Sequence, residues 1–173
     1  MVAAPPSRES AVWSALAGIA DPEIPAISLV DLGVIRGFAF HRLPDGGERL
    51  TVELMPTFVG CPAIEVMRQQ IGERLTELRL VDEVGVELTF AEPWTSDRIT
   101  PAGREALRES GFAPPAMIGS TFDGDSLTVL PIATCPYCGS RKTTLENPFG
   151  PTLCRAIYHC AACHQPFEAF KPV

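Results

Sequence analysis

Residues 49–78, RLTVELMPTFVGCPAIEVMRQQIGERLTEL, pass from one hydrophobic periodicity to another. Leu50, Val52 and Leu54 alternate with polar residues, which is the pattern of a strand with one buried face. After Pro62 the apolar residues recur at the spacing of an amphipathic helix. The apolar stripe of this helix consists of Ile64, Met67, Ile71, Leu75 and Leu78. The stretch therefore predicts a strand that leads directly into a helix, with Gly60-Cys61-Pro62 at the joint.

The segments before this stretch extend the same unit. Apolar residues at helical spacing predict an amphipathic helix near the start, with Ser7 as its cap. Its apolar face consists of Val12, Trp13, Leu16 and Ile19. Residues 34–41 read as a strand, and the turn sequence Pro44-Asp45-Gly46-Gly47 joins it to the strand at 49–55. The two strands therefore form a hairpin.

The segments after the stretch add a strand and a helix. The alternating apolar residues of the third strand are Val84, Val86, Leu88 and Phe90. A last helix is predicted to begin at Thr100 as cap, with Pro101 in its first turn, and to end at Gly111. The order helix, strand, strand, helix, strand, helix predicts an α+β domain in which helices cover a small mixed sheet.

Composition and charge limit the possible function classes. The chain has 173 residues, 46% of them apolar, so it can bury a core. Its net charge of −7 argues against a polybasic nucleic-acid binder and against an anionic membrane as partner. The first residues lack the apolar stretch of a secretory signal, and no apolar run is long enough to span a bilayer. We therefore expect a cytoplasmic protein, whose cysteines are reduced or bind metal.

Charge and cysteine are unevenly distributed along the chain, which predicts two units. Residues 134–173 carry 4 basic and 2 acidic residues, whereas residues 1–133 carry 10 basic and 19 acidic residues. Five of the six cysteines also lie in the last 39 residues. We expect an α+β domain at residues 1–115, a linker with short strands at 116–133, and a second unit at 134–173.

Four cysteines of the second unit form two Cys-x-x-Cys pairs, Cys135/Cys138 and Cys160/Cys163, which 21 residues separate. Each such knuckle turns its two sulfurs toward one point, and two knuckles supply the four thiolates of a tetrahedral zinc site. The residues between them can pair as strands around Asn147-Pro148-Phe149-Gly150, which is the layout of an all-β zinc ribbon. Because so short a unit has a small core, we expect the metal to supply folding free energy.

Other interpretations of the second unit stay open at this point. Four thiolates also suit iron or an iron–sulfur centre, and reduced cysteines without metal are a third interpretation. Cys154 could be a spare thiol near the metal or a small buried residue, and burial is the simpler of the two. His159 and His164 could each replace a sulfur, although histidines beside a knuckle are more often surface residues.

Cys61 lies alone between the second strand and the helix that follows it. With Pro62 at the first helical position, Cys61 is predicted to cap the helix, where amide N–H groups and the helix dipole lower a thiol pKa. The thiolate form attacks electrophiles and binds soft metals. The alternative is a buried cysteine that fills a gap at the joint, and spacing alone does not decide between them.

Carboxylates cluster upstream in the segment Asp21-Pro22-Glu23-Ile24-Pro25 and again at Asp31. The prolines fix a tight, extended connection around Glu23. Asp21 and Glu23 could orient a thiol or hold a metal, or they could cap turns, which is the default interpretation. Trp94, between the third strand and the last helix, could cover the core or anchor a partner, and core cover is the simpler interpretation.

These segments together resemble the MIP18-like (DUF59) iron–sulfur assembly family, and within it the PaaD branch, which is encoded with the bacterial ring-1,2-phenylacetyl-CoA epoxidase. The Asp21–Pro25 and Gly60–Pro62 motifs are similar to those of the broad family. The Pro93–Asp97 segment and the appended ribbon with its intervening Cys154 are similar to those of the branch. The matching segments span nearly the whole chain.

The resemblance implies an accessory protein for iron–sulfur cluster assembly or delivery, which serves the reductase component of the epoxidase or works with the assembly machinery. In this family the cysteine of the Gly-Cys-Pro motif is tied to function, so Cys61 is the candidate functional thiolate and transient ligand of iron or a cluster. Asp21 and Glu23 gain less support, because a turn would produce the same motif. The expected cofactors are thus structural zinc, from the cysteine spacing, and transient iron or an iron–sulfur cluster, from the resemblance. A second copy of the chain is a further candidate partner.

Two other functions compete with cluster assembly. As an interaction subunit of the epoxidase, the protein would dock through its ribbon, and no thiol would take part. As a thiol enzyme, such as an acyl-CoA hydrolase, it would use Cys61 as nucleophile. The three histidines, His41, His159 and His164, form no recognisable nucleophile signature with a carboxylate. We therefore expect an assembly factor and not the subunit that carries the oxygenase active site.

Overall fold

The computed structural model describes residues 7–58, 60–115 and 132–171. Contacts within the chain divide it into two compact units, Met1–Pro56 with Gly60–Pro93, and Thr57–Val59 with Trp94–Val173. None of the described helices has the length and apolar character that a membrane-spanning segment needs.

The first unit contains two helices and three strands within its described residues. These are α1 (Arg8–Ala17), β1 (Ile35–Arg42), β2 (Glu48–Leu54), α2 (Ile64–Thr76) and β3 (Glu83–Leu88). β1 and β2 pair antiparallel, and β3 pairs parallel to β2, so that the described strands lie in the order β1-β2-β3. The small mixed sheet with accompanying helices is therefore confirmed, in the predicted order of elements.

Most residues of the apolar stripes predicted from the sequence form the core of this unit, but Trp13 of α1 is 40% exposed. Leu50, Val52 and Leu54 of β2 are buried, as are Met67, Ile71 and Leu75 of α2. The predicted cap of α1 is also present, because the Ser7 hydroxyl oxygen accepts from the Ser10 N–H at 3.2 Å. The alternation in the sequence predicts Phe90 in the third strand, but β3 ends at Leu88 and the Phe90 side chain is 61% exposed.

The second unit combines a helix with a four-stranded sheet in its described residues. Its elements are a 3₁₀ turn (Ser96–Arg98), α3 (Pro101–Glu109), β4 (Phe112–Ala113), β5 (Thr143–Asn147), β6 (Arg155–Cys160) and β7 (Pro166–Phe170). β6 lies between β5 and β7 and pairs antiparallel with both, while β4 adds to β7 in parallel. The predicted ends of α3 are present: the Thr100 hydroxyl oxygen accepts from the Gly103 N–H at 3.0 Å, and Gly111 has a φ of +83°.

The sheet of the second unit takes in residues from before the boundary expected at residue 115. Phe112 and Ala113 pair with Glu168 and Ala169, so the ribbon sheet gains β4 as an edge strand. Most of the linker expected at 116–133 lies outside the described residues. The domain boundaries given above therefore stay a prediction about which segments fold independently.

A nearly buried ion pair joins three strands of the second unit. The Arg155 side chain is only 9% exposed, and its Nη1 donates to Glu168 Oε2 at 2.8 Å across β6 and β7. Its Nε donates to the Thr152 hydroxyl at 2.8 Å, and its guanidinium lies 5.6 Å from the centre of the Phe112 ring on β4. The charge is thus satisfied on several sides, as a buried guanidinium requires.

Replacing Arg155 with Ala is expected to lower the free energy of unfolding by about 3 kcal/mol, because the partly buried Glu168 carboxylate then loses its partner. Guanidinium unfolding of zinc-loaded protein measures the change. Arg141→Ala, at an exposed position, is the control and should cost at most about 0.5 kcal/mol. Equal losses for the two variants would contradict a stabilising role for the Arg155 pair.

Candidate functional site

The two cysteine knuckles have the same backbone geometry. In the first, the Gly139 N–H donates to the Cys135 carbonyl at 2.9 Å, and Gly139 has a φ of +72°. In the second, the His164 N–H donates to the Cys160 carbonyl at 2.9 Å, and His164 has a φ of +59°. Each knuckle therefore needs a left-handed residue four positions after its first cysteine. Glycine adopts this conformation freely, whereas histidine does so at some cost.

The four knuckle sulfurs converge on one point. The sulfur atoms of Cys135, Cys138, Cys160 and Cys163 all lie within 4.8 Å of one another. Cys135 Sγ is 3.7 Å from Cys163 Sγ, and Cys138 Sγ is 3.6 Å from Cys160 Sγ. Zinc–sulfur bonds of about 2.3 Å in a regular tetrahedron place the sulfurs about 3.8 Å apart. The donor set and its spacing therefore fit a tetrahedral metal ion of the size of zinc.

Backbone amides support the charge of these sulfurs. The N–H groups of Ser140, Cys163 and Gln165 point to the sulfurs of Cys138, Cys160 and Cys163, respectively. At Cys160 the amides of Cys163 and Ala162 lower the thiol pKa to about 6. At Cys138 and Cys163 burial and the neighbouring knuckle thiols outweigh the amides and raise the thiol pKa. Such N–H···S bonds stabilise the thiolate form, which is the form that binds metal.

The remaining candidate ligands of the second unit lie outside this group of sulfurs. Cys154 is buried, with its sulfur 3.0 Å from the Thr152 hydroxyl, as its interpretation as a small buried residue predicts. The rings of His159 and His164 lie 6.3 Å apart, and neither belongs to the cluster of four sulfurs. What the sequence analysis missed is that His164 serves the second knuckle through its backbone. The signal was its position, which corresponds to that of Gly139.

Cys61 lies where the sequence predicts, after β2 and before α2, but it is not the N-cap of the helix. α2 begins at Ile64, and the N-cap position is Ala63. The Cys61 sulfur nevertheless accepts from the amides of Ala63 and Ile64. Gly60 has a φ of +83°, so the chain turns sharply just before the half-exposed thiol.

The expected lowering of the Cys61 pKa is wrong. Burial raises the pKa of this thiol above its ordinary value, and the negative charges of Glu23 and Asp21 raise it further. The amides of Ala63 and Ile64 oppose the increase but do not offset it. The resting form of Cys61 at neutral pH is therefore the thiol and not the expected thiolate.

Asp21 has a clear structural role beside its charge. Its Oδ1 accepts from the amides of Glu23 at 2.9 Å and Ile24 at 2.7 Å, and the residue is buried. These bonds fix the turn at Pro22, as the turn-capping interpretation predicts. Glu23 is half-buried, and its charge also acts on the Cys61 thiol. In the described parts of the chain, only the knuckle cysteines bring three or more potential ligand atoms within 4.8 Å of one another.

Trp94 belongs to the core of the second unit and does not face a partner. Its side chain is 3% exposed and packs on Phe170, with ring centres 5.8 Å apart. Arg104 holds the neighbouring loop, because its guanidinium donates to the carbonyl oxygens of Ser96 at 2.6 Å and Pro115 at 2.5 Å. The segment from Pro93 to Asp97 is thus structural.

Comparison with known proteins identifies both parts of the chain. Residues 9–88 match the model of the iron–sulfur cluster assembly protein family, and residues 125–171 match the model of the PaaD zinc β-ribbon domain. The region that contains Asp21, Glu23 and Cys61 and the region that contains the four knuckle cysteines therefore match different models.

Three individual proteins extend this result. The chain is 39% identical to the D component of 1,2-phenylacetyl-CoA epoxidase of Escherichia coli (strain K12), over 96% of this chain and 94% of that protein. It is 27% identical to the Fe-S protein maturation auxiliary factor YitW of Bacillus subtilis (strain 168), over 56% of this chain and 89% of that protein. A crystal structure of a DUF59 domain from Bacillus anthracis shares the fold, with a TM-score of 0.50, 22% identity and coverage of 57% of this chain and 90% of that one. The chain thus belongs to the MIP18-like (DUF59) iron–sulfur assembly family, in the PaaD branch that carries a C-terminal zinc ribbon.

Proposed function

We propose that this protein is an accessory factor for iron–sulfur cluster assembly or delivery, in which Cys61 is the transient protein ligand of iron or of a cluster. Family membership and the Fe-S maturation relatives support the assembly role. The observation that carries the proposal for this residue is the Cys61 thiol itself, half-exposed at a sharp turn and within the field of two carboxylates.

The electrostatics of Cys61 suit a metal cargo better than covalent catalysis. A thiol with a raised pKa is a poor nucleophile at neutral pH, which argues against the hydrolase alternative. An arriving cation reverses this effect, because it displaces the thiol proton and is itself attracted by Glu23 and Asp21. The amides of Ala63 and Ile64 then stabilise the thiolate that forms. The site therefore gains a ligand when metal arrives and recovers its proton when metal leaves.

Cys61 alone cannot complete the coordination of iron or of a cluster, and such a site favours transfer of the metal over its storage. Within the described residues, Cys61 does not share a set of three closely spaced ligand atoms with its neighbours. Iron and iron–sulfur clusters are held by several protein ligands, commonly four thiolates in a cluster. A donor or recipient protein would supply the missing ligands, and the cargo would stay with the partner that supplies more of them.

Membership of the PaaD branch supports a specific recipient and a specific role for the ribbon. The similarity to an epoxidase component supports a recipient in aerobic phenylacetate catabolism, and the recipient that we propose is the iron–sulfur reductase component of that epoxidase. The ribbon would hold structural zinc at Cys135, Cys138, Cys160 and Cys163 and stabilise the second unit. Four soft thiolates in a tetrahedral arrangement support zinc for this role.

A second candidate function is a non-catalytic interaction subunit of the epoxidase that docks through its ribbon. The observation in its favour is an exposed apolar surface, where Phe149 is 70% exposed and Leu153 is 54% exposed. Lys171 orders this surface, because its Nζ lies 5.4 Å from the Phe149 ring centre and donates to the Leu153 carbonyl at 2.9 Å. In this function Cys61 would be dispensable.

Replacing Cys61 with Ala should abolish cluster insertion and leave the fold intact. In cells that depend on this protein, we expect at least about a tenfold fall in the iron and sulfide content of the purified reductase, since the transferred metal loses its protein ligand. Cys154→Ala removes a thiol that lies outside both candidate sites and is the control. Normal reductase clusters together with an active epoxidase complex in Cys61→Ala cells would favour the docking function instead.

The raised pKa of Cys61 predicts slow alkylation at neutral pH. Iodoacetamide reacts with the thiolate, so the rate at Cys61 should still be rising above the ordinary thiol pKa. Glu23→Gln removes one of the negative charges that raise this pKa, so the rate–pH profile should move to lower pH. Mass spectrometry of the Cys61 peptide measures both profiles, with Asp45→Asn as control. A Cys61 profile that lies at or below that of free cysteine would refute the raised pKa.

The ribbon cysteines predict one zinc per chain. Cys138→Ser should lose the zinc and expose the amides of β5 and β6 to hydrogen exchange, because the knuckles would no longer be joined by metal. Cys154→Ser should keep the full zinc content. Elemental analysis and hydrogen exchange measure the two effects. Metal-free protein with a fully protected ribbon sheet would show that the metal does not stabilise the fold.

A further inference from the structure

Strand β3 has a free edge in the part of the chain that the structure describes, where the sheet runs β1-β2-β3 and ends. The Thr89 N–H donates to the Leu54 carbonyl at 2.9 Å, so the backbone groups of Thr89 point toward β2. Because backbone groups alternate in direction along a strand, those of Val84, Val86 and Leu88 point away from β2. They offer three N–H and three C=O groups to a further strand.

The side chains beside this edge are apolar and accessible. Val66 on α2 is 46% exposed, Leu88 on β3 is 37% exposed, and Phe90 just beyond it is 61% exposed. An open groove of about 440 Å³ lies between α2 and the edge, with Val66, Val84 and Val86 in its lining. An edge strand with this much exposed apolar surface is prone to pair with another strand unless a partner covers it.

The polar face of the same edge carries a charge arrangement that selects the partner. Arg49 of β2 extends across Gly85, so that a Cβ placed on Gly85 would lie 2.5 Å from Arg49 Nη2. Arg49 Nε is buried without a hydrogen-bond partner among the described atoms, and Arg49 Nη1 is 3.9 Å from Glu83 Oε2. A carboxylate that approached the edge beside Gly85 would meet this guanidinium.

We propose that a second copy of this chain pairs with the β3 edge, antiparallel and across a two-fold axis at Val86. In this register Val86 faces Val86 of the second copy, and Val84 faces Leu88, so that all the outward backbone groups pair. Glu87 of each copy then lies opposite Gly85 of the other, beside the Arg49 guanidinium. The neighbouring register, centred on Gly85, is disfavoured because it places Glu83 opposite Glu87 and sets like charges against each other.

The pairing also covers the apolar surface on the helix side of the sheet. Val84, Val86 and Leu88 lie on the same face, and in the two-fold arrangement this face continues without interruption into the second copy. Val66 lines the groove beside this face together with Val84 and Val86, and would be covered at the same time. The surface is thus self-complementary in backbone groups, in apolar contacts and in charge, as an isologous interface requires.

Sedimentation equilibrium of the zinc-loaded full chain tests the proposal. We expect a dimer for the native sequence, and for Glu87→Arg a dissociation constant at least about tenfold higher, because two cations would then meet at each contact. Arg49→Glu should have the same effect, since two anions would meet. Glu146→Arg makes the same charge change on the edge strand β5 of the other unit and should leave the dimer unchanged.

Mixing the two charge variants shows whether each variant has lost only the contact across the interface or has also lost its fold. In a heterodimer of Arg49→Glu with Glu87→Arg, one contact pairs the introduced glutamate with the introduced arginine, and the other keeps the native Arg49 and Glu87. Both contacts are then complementary, so the mixture should dimerise where each variant alone does not. A native protein that stays monomeric, a dimer that Glu87→Arg leaves intact, or a mixture that stays monomeric would each overturn the proposal. Pairing of the edge with another protein would appear as the first of these outcomes.

Discussion

The second unit depends on four sulfurs that converge on one point. The hydrophobic cluster around the knuckles is small, and Cys135 and Cys160 are themselves members of it. A cluster of this size contributes little free energy after the entropy of the ordered chain is offset, so a metal ion bound by the four sulfurs would add directly to the folding free energy. A metal ion at the knuckles would join the two ends of the β5–β6 hairpin, and the Arg155 ion pair and the stacked rings of Tyr158 and Phe167 stabilise the same sheet.

The surroundings of Cys61 in the first unit favour a different kind of metal binding from those of the knuckle cysteines. At the knuckles, four cysteine sulfurs lie close enough together to bind one ion, which favours permanent occupancy. At Cys61, burial and two carboxylates favour the protonated thiol, which favours temporary occupancy. A cysteine sulfur can thus serve a structural role in one unit and a proposed carrier role in the other, because the knuckles bring four sulfurs together whereas Cys61 contributes a single one.

The features that depend on local sequence were predicted well. The cap at Thr100, the left-handed Gly111 just after α3 and the alternation in β2 each involve residues a few positions apart. The features that were missed depend on residues far apart in the chain. The pKa of Cys61 follows from burial and from charges about forty residues upstream, and β4 joins β7 more than fifty residues later. The hydrophobic periodicity of the sequence does not reveal such contacts, because they depend on tertiary packing and not on neighbouring residues.

The left-handed conformation in the second knuckle could not be predicted from the type of residue at that position. Glycine at position 139 indicates its conformation, whereas His164 adopts the same conformation against its intrinsic preference. Only the comparison of the two knuckles, position by position, would have revealed it. The spacing of the cysteines predicted which four sulfurs meet, but not the backbone that brings them together.

The claim that a transient iron site exists beside a permanent zinc site is tested most directly by X-ray absorption at both metals. Zinc-replete protein is loaded with ferrous iron without oxygen, and the spectra are recorded at the iron and zinc edges. We expect zinc to keep four sulfur neighbours and iron to show a single sulfur neighbour among oxygen and nitrogen atoms, with that sulfur absent in Cys61→Ala. Iron surrounded by four sulfurs, or no bound iron at all, would contradict a separate site at Cys61.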